Sequence, residues 1–188
     1  MNLLMVRHGE ITSNLKKIYA GKSSESLTKN GIKQVKKVSV KLKQYKVDAL
    51  YSSPVERAIQ TAEIISETLG LGFFVEYAFR EMELGWWEGL SENDIARIYP
   101  EEWRLWQDRP AELKLPGRET LQELLERVLI GVQRIQQFMG NQTIVVVTHV
   151  AIIRVLLLWH AKKSLNLYKT IHIPNTAVFE IEIDKKIY

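Results

Sequence analysis

The chain has 188 residues, a net charge of +4 at pH 7 and no cysteine. Its length suffices to bury one sizeable core, so we predict a single domain over residues 1–188. Without cysteine there are no disulfides, thiolate nucleophiles or cysteine-ligated zinc, and the four histidines lack metal-binding spacing such as HExxH, so we expect no metal and no cofactor.

The first predicted element is a short apolar run, Leu3 to Val6, which is followed by Arg7, His8 and Gly9. Such a run predicts a strand that is buried on both faces, as in a parallel sheet. Ligands of open α/β sheets bind at the carboxyl ends of the strands, so Arg7 and His8 are candidate site residues. The alternative is an ordinary strand-end histidine beside a surface charge. Because the chain enters this strand directly, we expect no signal peptide and a cytoplasmic location.

Residues 10–29 contain Gly, Ser, Asn and Lys with little periodicity, which predicts a loop at the same edge of the sheet. Asn14 and Gly21 are its candidate ligand contacts. A lysine-rich helix then begins at Thr28 or Asn30.

This helix ends near Tyr45 and has one apolar and one charged face. Its apolar residues, Ile32, Val35, Val38, Leu42 and Tyr45, recur at helical spacing, whereas Lys29, Lys33, Lys37 and Lys41 lie on the opposite side. The lysines indicate a solvated face that also attracts anionic substrates. No aromatic residues interleave a basic motif, so we expect no nucleic-acid partner.

Val47 to Ser52 predicts a second strand, and the residues after it predict a helix start. Ser53 is the expected N-cap, Pro54 the first helical residue, and Glu56 completes a capping box.

Arg57 consequently lies in the first turn of that helix. Free backbone N–H groups and the helix dipole favour an anion there, and a guanidinium adds two aligned donors for phosphate oxygens. The alternative is that Arg57 pairs with Glu56 or Glu63.

Phe73 to Tyr77 predicts a third strand, and residues 79–89 predict a loop with three glutamates, including Glu81, and two tryptophans. Helices are expected over Glu92 to Tyr99 and Pro100 to Gln107. Trp103 and Trp106 on the second of them either cover the rim of a site or pack in the core.

A break at Pro116-Gly117 precedes a long helix whose capping box is formed by Thr120 and Glu123. The apolar residues predicted to be buried on this helix are Leu121, Leu124, Leu125, Val128, Val132 and Ile135.

After a turn at Gly140-Asn141, Thr143 to Thr148 forms a second β-branched run, which ends at His149. If both histidine-terminated runs are neighbouring parallel strands, their imidazoles can share one ligand.

Ala151 to Ala161 predicts an apolar helix, and its longest apolar run is too short to span a bilayer, so we expect no membrane association. His160 is interpreted as structural and His172 as a loop residue without a partner. Ala177 to Ile183 alternates apolar and acidic residues, as at a sheet edge. The order of elements predicts an α/β fold with a layer of helices on each side of a doubly wound sheet.

Two strand-end histidines, two arginines and a nearby carboxylate fit metal-independent phosphoryl transfer from a monoester. One imidazole attacks phosphorus, and the two guanidiniums lower its pKa by like charge, which keeps it nucleophilic near neutral pH. Arg7, Arg57 and a protonated His149 stabilise the phosphoryl charge, while a carboxylic acid protonates the leaving oxygen.

The sequence resembles the histidine phosphatase (phosphoglycerate mutase-like) superfamily over nearly its whole length. The matching segments, in order, are Arg7-His8-Gly9-Glu10 with Asn14, Tyr51-Ser52-Ser53-Pro54 with Arg57 and Thr61, Arg80-Glu81 with Gly85, Trp87, Glu88 and Gly89, and Val147-Thr148-His149. The resemblance implies a three-layer α/β/α sandwich whose mostly parallel sheet has one antiparallel edge strand.

The resemblance also implies roles for individual residues. His8 is the nucleophile that forms a phosphohistidine, and Glu81 is the proton donor. The residues implied to bind the phosphoryl group are Arg7, Arg57 and His149, with Asn14 assisting. Two positions depart from the family pattern. Val150 stands where glycine is frequent; its backbone N–H can still contact the phosphate, but its side chain narrows the space beside it. Ser24 stands where aspartate is frequent.

Within the superfamily, the compact length and the segment Pro116 to Thr120 resemble the small phosphatases more than the longer mutases. The ligand is therefore expected to be a small phosphorylated metabolite, with α-ribazole-5'-phosphate of cobalamin assembly as the leading substrate. Phosphoserine or broad-specificity phosphatase, phosphoglycerate mutase, and a catalytically silent anion-binding module are the alternatives. A homodimer is left open, and Trp86, Trp87, Trp103, Trp106 and Arg118 are candidates for the rest of the pocket.

Overall fold

The computed structural model describes residues 1–183, which form a five-stranded sheet between two layers of helices. The strands are β1 (Asn2–Arg7), β2 (Ala49–Ser52), β3 (Phe73–Val75), β4 (Thr143–Thr148) and β5 (Val178–Glu182). The α-helices are α1 (Thr12–Leu15), α2 (Lys29–Leu42), α3 (Glu56–Leu69), α4 (Glu92–Ile98), α5 (Pro100–Asp108), α6 (Leu121–Met139) and α7 (Val150–His160). Short 3₁₀ segments occur at Tyr77–Phe79, Gly85–Trp87, Pro110–Glu112 and Leu165–Thr170.

The sheet has the strand order β3-β2-β4-β1-β5, and β5 is its antiparallel edge strand. The two histidine-terminated strands β1 and β4 are parallel neighbours, with Arg7 paired to Thr148 at their carboxyl ends. This register brings His8 and His149 to the same edge of the sheet. The predicted three-layer α/β/α architecture with an antiparallel edge strand is confirmed.

Alternate residues of the central strands pack into two separate cores. Leu3 and Met5 of β1 belong to the core under α6 and α7, whereas Leu4 and Val6 belong to the core under α2 and α3. All four side chains are buried, as the apolar run predicts. None of the helices within residues 1–183 is long and apolar enough to cross a membrane.

The lysine-rich helix α2 begins where it is predicted, with the Thr28 hydroxyl accepting a hydrogen bond from the Gly31 N–H. It ends at Leu42, three residues before Tyr45. Ile32 of the predicted apolar stripe is exposed. Residues 10–29 also contain the short helix α1, which their composition did not indicate.

The predicted start of α3 is wrong, because the helix begins at Glu56 and Val55 occupies the N-cap position without a side-chain cap. Pro54 therefore precedes the helix, and Ser53 is not a cap. Arg57 nevertheless lies in the first turn. By contrast, the predicted capping box of α6 is confirmed, with Thr120 and Glu123 bonded reciprocally.

Two glycines allow α2 to pack directly against the segment that follows β1. A Cβ atom at Gly31 would overlap the backbone carbonyl oxygen of Glu10, and a Cβ atom at Gly9 would lie 2.9 Å from the carbonyl oxygen of Gly31. The close approach of these two backbones fixes the chain directly after His8.

We predict that Gly31→Ala lowers the free energy of unfolding by about 1–3 kcal/mol, because the added methyl group can only be accommodated by moving backbone. Urea denaturation of both proteins measures this difference. Gly72→Ala is the matched control, since a Cβ atom there meets no heavy atom within 4 Å. Equal unfolding free energies for Gly31→Ala and the wild type would contradict this packing.

Candidate active site

A cavity with a volume of about 480 Å³ opens at the carboxyl ends of β1 and β4. Its inner end is formed by predicted site residues from several elements. These are Arg7, His8, Asn14, Gly21, Arg57, Glu81 and Val150. His149 is fully buried directly beside them, with its ring centroid 5.2 Å from that of His8.

His8 is held in the protonation state that a nucleophile requires. Its Nδ1 atom lies 2.8 Å from the carbonyl oxygen of Gly9. Because a carbonyl can only accept a hydrogen bond, Nδ1 carries the proton and Nε2 keeps its lone pair. Nε2 accepts a hydrogen bond of 3.2 Å from Nε of Arg57, so its lone pair points toward the arginine that is predicted to bind phosphate.

His149 is oriented by Ser53, whose hydroxyl lies 2.6 Å from Nε2 of the imidazole. This hydroxyl also accepts the Val55 N–H at 3.3 Å, and among residues 1–183 the only acceptor for its own proton is Nε2 of His149, so the hydroxyl donates to the imidazole. The Nδ1 atom of His149 therefore carries the ring proton. It is buried and has no hydrogen-bond partner among residues 1–183, as expected of a donor placed for a ligand oxygen. The serine assigned to a helix cap thus positions a site histidine instead.

Arg57 is 1% exposed, and among residues 1–183 its ion-pair contact is with Glu81, not with Glu56 or Glu63, so the alternative pairing is wrong. Its terminal nitrogens donate to the carbonyl oxygens of Gly21 (2.8 Å) and Ser23 (3.2 Å). Together with the bond from Nε to His8, these hydrogen bonds use three of the five guanidinium N–H donors, so two remain, and the predicted contact of Arg57 with phosphate oxygens stays a prediction. The guanidinium fixes the 10–29 segment over His8.

Arg7 and the start of α7 complete the cationic end of the cavity. Arg7 donates through Nη1 to the carbonyl of Ile173 at 2.5 Å, while its buried Nε has no hydrogen-bond partner in the described chain. Burial lowers the pKa of Arg7 to about 10, so the guanidinium stays charged at neutral pH. Val150 and Ala151, the first residues of α7, line the cavity, and their backbone N–H groups belong to the free end of an eleven-residue helix.

Glu81 supplies the carboxyl group of the site and is 8% exposed. Its Oε1 atom accepts a hydrogen bond of 2.8 Å from the Met82 N–H. Its Oε2 atom lies 4.0 Å from Nη2 of Arg57 and 3.9 Å from Nδ1 of His149. Burial raises the pKa of Glu81, although the positive charge of Arg57 opposes this shift. A raised pKa suits a group that gives up a proton at neutral pH.

Two residues outside the predicted set hold the loop that carries Glu81. Arg127 donates to the carbonyl oxygens of Ala78 (2.7 Å) and Arg80 (3.1 Å) and forms a two-bond ion pair with Glu119. The hydroxyl of Thr148 donates to the carbonyl of Phe79 at 2.8 Å. No local pattern in the sequence connects these positions.

Burial is the main cause of the lowered pKa values of His8 and His149, and the charge of Arg57 adds to it in both cases. The positive charge of Arg57 lowers the pKa of His8, as predicted, but burial lowers this pKa more. A pKa well below 6.5 leaves His149 neutral at pH 7 in the free site, and a protonated His149 beside a phosphoryl group stays a prediction. Its Nδ1–H remains a donor.

These two pKa values predict how stability depends on pH. The unfolded chain binds protons on both histidines below about pH 6.5, whereas the folded chain does not, so the free energy of unfolding falls as the pH decreases below 6.5. Each histidine contributes a slope of up to about 1.4 kcal/mol per pH unit. Urea denaturation in phosphate-free buffers from pH 7.5 to 5 measures the slope.

His149→Asn should flatten that dependence by about one proton. His160→Asn is the control, because His160 is exposed at the last turn of α7, away from the cavity. Equal slopes for His149→Asn and the wild type would contradict a buried, neutral His149.

Asn14, Gly21 and Asn175 line the cavity, and no sequence pattern indicated Asn175. Asn175 donates to the carbonyl of His8 (3.0 Å) and to Oδ1 of Asn14 (2.9 Å). Gly21 has φ +52°, and a Cβ atom there would overlap the Glu88 side chain. The direct contact of Asn14, Gly21 and Val150 with a ligand stays a prediction. His172, which is interpreted as a loop residue without a partner, also lines the cavity.

Of the five residues considered for the rest of the pocket, only Trp106 lines the cavity. Trp87 is buried in the core, Trp86 is 57% exposed, and Trp103 packs against Trp87 with 6.0 Å between ring centroids. Arg118 is buried behind the wall, with its guanidinium carbon 4.1 Å from the ring centroid of Trp106. The other four do not line this cavity: Trp87, Trp103 and Arg118 pack behind Trp106, whereas Trp86 stacks on Tyr99 at the surface.

Comparison with known proteins identifies the family. The model of the histidine phosphatase superfamily (branch 1) matches residues 3–187. Phosphoserine phosphatase 1 of Hydrogenobacter thermophilus is 32% identical over 149 residues, which covers 79% of this chain and 71% of that protein. The adenosylcobalamin/alpha-ribazole phosphatase of Salmonella typhimurium is 26% identical over 183 residues, 92% of this chain and 91% of that protein.

The fold agrees with this assignment. The structure of Bacillus stearothermophilus YhfR superimposes with a TM-score of 0.91 at 25% identity and covers 98% of this chain and 92% of that chain. Together with the paired histidines at the sheet edge, these matches show that the chain belongs to the histidine phosphatase superfamily (branch 1) and is a phosphatase.

Proposed function

We propose that this enzyme hydrolyses the phosphate monoester of a small metabolite without a metal ion, through a phosphohistidine on His8. The observation that carries the proposal is the assigned tautomer of His8: the Nδ1 proton is bound by Gly9, and Nε2 is left with its lone pair among Arg7, Arg57 and His149.

In the first step, His8 Nε2 attacks phosphorus, an N–P bond forms and the P–O bond to the ester oxygen breaks. The leaving oxygen takes the electron pair and receives the proton of Glu81. The charge on the three equatorial oxygens is stabilised by Arg7, Arg57 and the Nδ1–H of His149. The hydrogen bond from Arg57 Nε to His8 Nε2 opens as the phosphoryl group enters, which frees the lone pair of Nε2 for attack.

In the second step, water attacks phosphorus from the side of the departed alcohol, and the Glu81 carboxylate accepts one of its protons. The N–P bond breaks, and its electron pair returns to His8 Nε2. Inorganic phosphate and the starting enzyme result. Protonation of the leaving oxygen by Glu81 in the first step contributes about 10²- to 10⁴-fold to the rate.

For the ester itself, α-ribazole-5'-phosphate is the first candidate. It is supported by the Salmonella relative, which matches nearly the whole chain, and by the compact length of the sequence. Trp106 and Tyr168 give the cavity an aromatic wall on which a flat ring can pack.

Phosphoserine is the second candidate, and a specific observation favours it. Arg154 and Lys169 line the cavity beyond the phosphate end and offer positive charge to a carboxylate. The Hydrogenobacter relative, whose name gives phosphoserine as its substrate, supports this choice.

The test is phosphate release from a panel of esters in excess chelator: α-ribazole-5'-phosphate, phosphoserine and the 2- and 3-phosphoglycerates. We expect turnover that the chelator does not reduce. Loss of activity with chelator would overturn metal independence, and interconversion of the phosphoglycerates faster than phosphate release would identify a mutase. Salt-dependent oligonucleotide binding without phosphate release would identify an anion-binding module.

A further inference from the structure

Asn14 lines the cavity with its side-chain amide in one fixed orientation. The Ile11 N–H donates to Oδ1 of Asn14 at 3.2 Å, and Nδ2 of Asn175 donates to the same oxygen at 2.9 Å. A backbone N–H can only donate, so the atom of Asn14 that faces Ile11 is the amide oxygen. The amide nitrogen of Asn14 has no hydrogen-bond partner among residues 1–183. Its two N–H groups are therefore available to a ligand in the cavity.

The orientation of the Asn175 amide is fixed in turn by the main chain of His8. Nδ2 of Asn175 lies 3.0 Å from the carbonyl oxygen of His8. Because a carbonyl oxygen can only accept a hydrogen bond, this atom of Asn175 is the amide nitrogen, and its second N–H is the one that reaches Asn14. Asn175 therefore connects the main chain of His8 with the side chain of Asn14, and it uses both of its amide N–H groups to do so.

A tight turn holds Asn175 at the end of β1. The Ala177 N–H donates to the carbonyl of Pro174 at 3.1 Å, which closes the turn. Two backbone hydrogen bonds join the turn to Arg7: the Arg7 N–H donates to Ala177 at 3.1 Å, and the Thr176 N–H donates to Arg7 at 3.0 Å. Thr176 has φ +57°, a conformation that β-branched residues rarely adopt. Such strain persists where the surrounding contacts impose it, and it is concentrated at functional sites.

We propose that Asn175 is a positioning residue, which keeps the amide of Asn14 turned so that its nitrogen donates to the phosphoryl oxygens. Without Asn175, the Ile11 N–H alone holds this amide in place. Asn14 then also adopts conformations in which its oxygen faces the ligand and repels the phosphoryl anion. The inference rests on the proposed phosphatase function and on the predicted contact of Asn14 with the phosphoryl group.

The experiment is a double-mutant cycle of Asn14→Ala and Asn175→Leu, measured as kcat/KM for p-nitrophenyl phosphate and as the Kd of inorganic phosphate. We expect Asn14→Ala to lower kcat/KM about 10- to 100-fold, the range for a hydrogen bond to a charged group. Asn175→Leu should lower kcat/KM about tenfold in the wild type. In Asn14→Ala, where no amide remains to be oriented, the same substitution should lower it less than about threefold. The Kd of phosphate should follow the same pattern.

Equal losses from Asn175→Leu with and without the Asn14 amide would overturn the proposal, because Asn175 would then act independently of Asn14. A merely structural role gives that result: the free energy of unfolding falls, whereas the effect on phosphate binding does not depend on Asn14. Urea denaturation of the four proteins in the cycle measures the stability separately. Asn93→Leu is the matched control, since Asn93 is exposed on α4 and does not line the cavity, so its loss should leave kcat/KM and Kd unchanged.

A second variant keeps the test decisive if Asn175→Leu does not fold. Asn175→Ala also removes both N–H donors but adds no new side-chain atoms to the turn. We expect the same dependence on Asn14 as for the leucine variant. Equal losses from Asn175→Ala in the wild type and in Asn14→Ala would overturn the proposal in the same way.

Phosphate binding separates failure of this inference from failure of the proposed function. If the wild type hydrolyses no ester, yet Asn175→Leu weakens phosphate binding only while Asn14 is present, the proposed activity fails and the positioning role stands. If the wild type is active and the loss is the same with and without Asn14, the activity stands and the positioning role is overturned. A wild type that binds no phosphate would overturn both.

Discussion

Replacing His8 with alanine should reduce phosphate release from every ester by about 10³- to 10⁶-fold, the range found when a catalytic nucleophile is removed. In the proposed mechanism, Nε2 of His8 supplies the lone pair that attacks phosphorus, and alanine removes this atom. The fold should survive, because the residues of β1 that form the core are unchanged.

Labelling measures this effect directly. Wild-type enzyme mixed with a ³²P-labelled ester should give an acid-labile, alkali-stable phosphoenzyme, as a phosphohistidine does, and His8→Ala should give none. His160→Ala is the control, since this histidine is exposed at the far end of α7. Label retained by His8→Ala, or more than a tenth of the wild-type activity, would exclude His8 as the nucleophile.

Replacing Glu81 with glutamine should have the second largest effect, and its size should depend on the leaving group. For an alkyl ester such as phosphoserine, we expect kcat/KM to fall about 10²- to 10⁴-fold, because the poor alkoxide leaving group no longer receives a proton. For p-nitrophenyl phosphate, whose phenolate leaves without protonation, we expect less than about a tenfold loss. Glutamine keeps the acceptor for the Met82 N–H, so the side chain should stay in position.

The measurement is kcat/KM for both esters with the wild type, Glu81→Gln and Glu83→Gln. Glu83 lies two residues away, is paired with Lys22 at 2.8 Å and does not line the cavity, so its substitution controls for charge loss in the same loop. Equal losses with alkyl and aryl esters in Glu81→Gln would mean that Glu81 holds the site together and does not donate the proton.

Much of the scaffold could be predicted from local sequence patterns. The β-branched run before His149 and the apolar run before His8 each identify a buried strand, and the end of each strand fixes where its histidine lies. Caps are equally local, as the Thr120 and Glu123 pair shows at the start of α6. Such features depend on residues within about four positions of one another, so the sequence specifies them directly.

Local patterns failed where a side chain had both a near and a distant partner. Ser53 fits a capping box with Glu56, but its hydroxyl binds His149, which is 96 residues away. The hydrogen bond to the imidazole is buried, and an unpartnered imidazole nitrogen there would cost more than an exposed helix end that water can satisfy. Arg118 directly follows the break at Pro116-Gly117, which suggests an exposed loop residue. It is buried behind Trp106 instead, because the face of the indole ring attracts its guanidinium.

The sequence by itself determined the layered α/β fold, the two histidines at one sheet edge and most of the residues that line the cavity beside them. Only the tertiary structure decided the tautomers of both histidines, the supports of Glu81 from Arg127 and Thr148, and the far wall formed by Arg154, Tyr168 and Lys169. The physical reason is that hydrophobic periodicity and capping act along the chain, whereas buried polar atoms must find partners across it. Those partners come from segments that are distant in sequence and meet only when the core is packed.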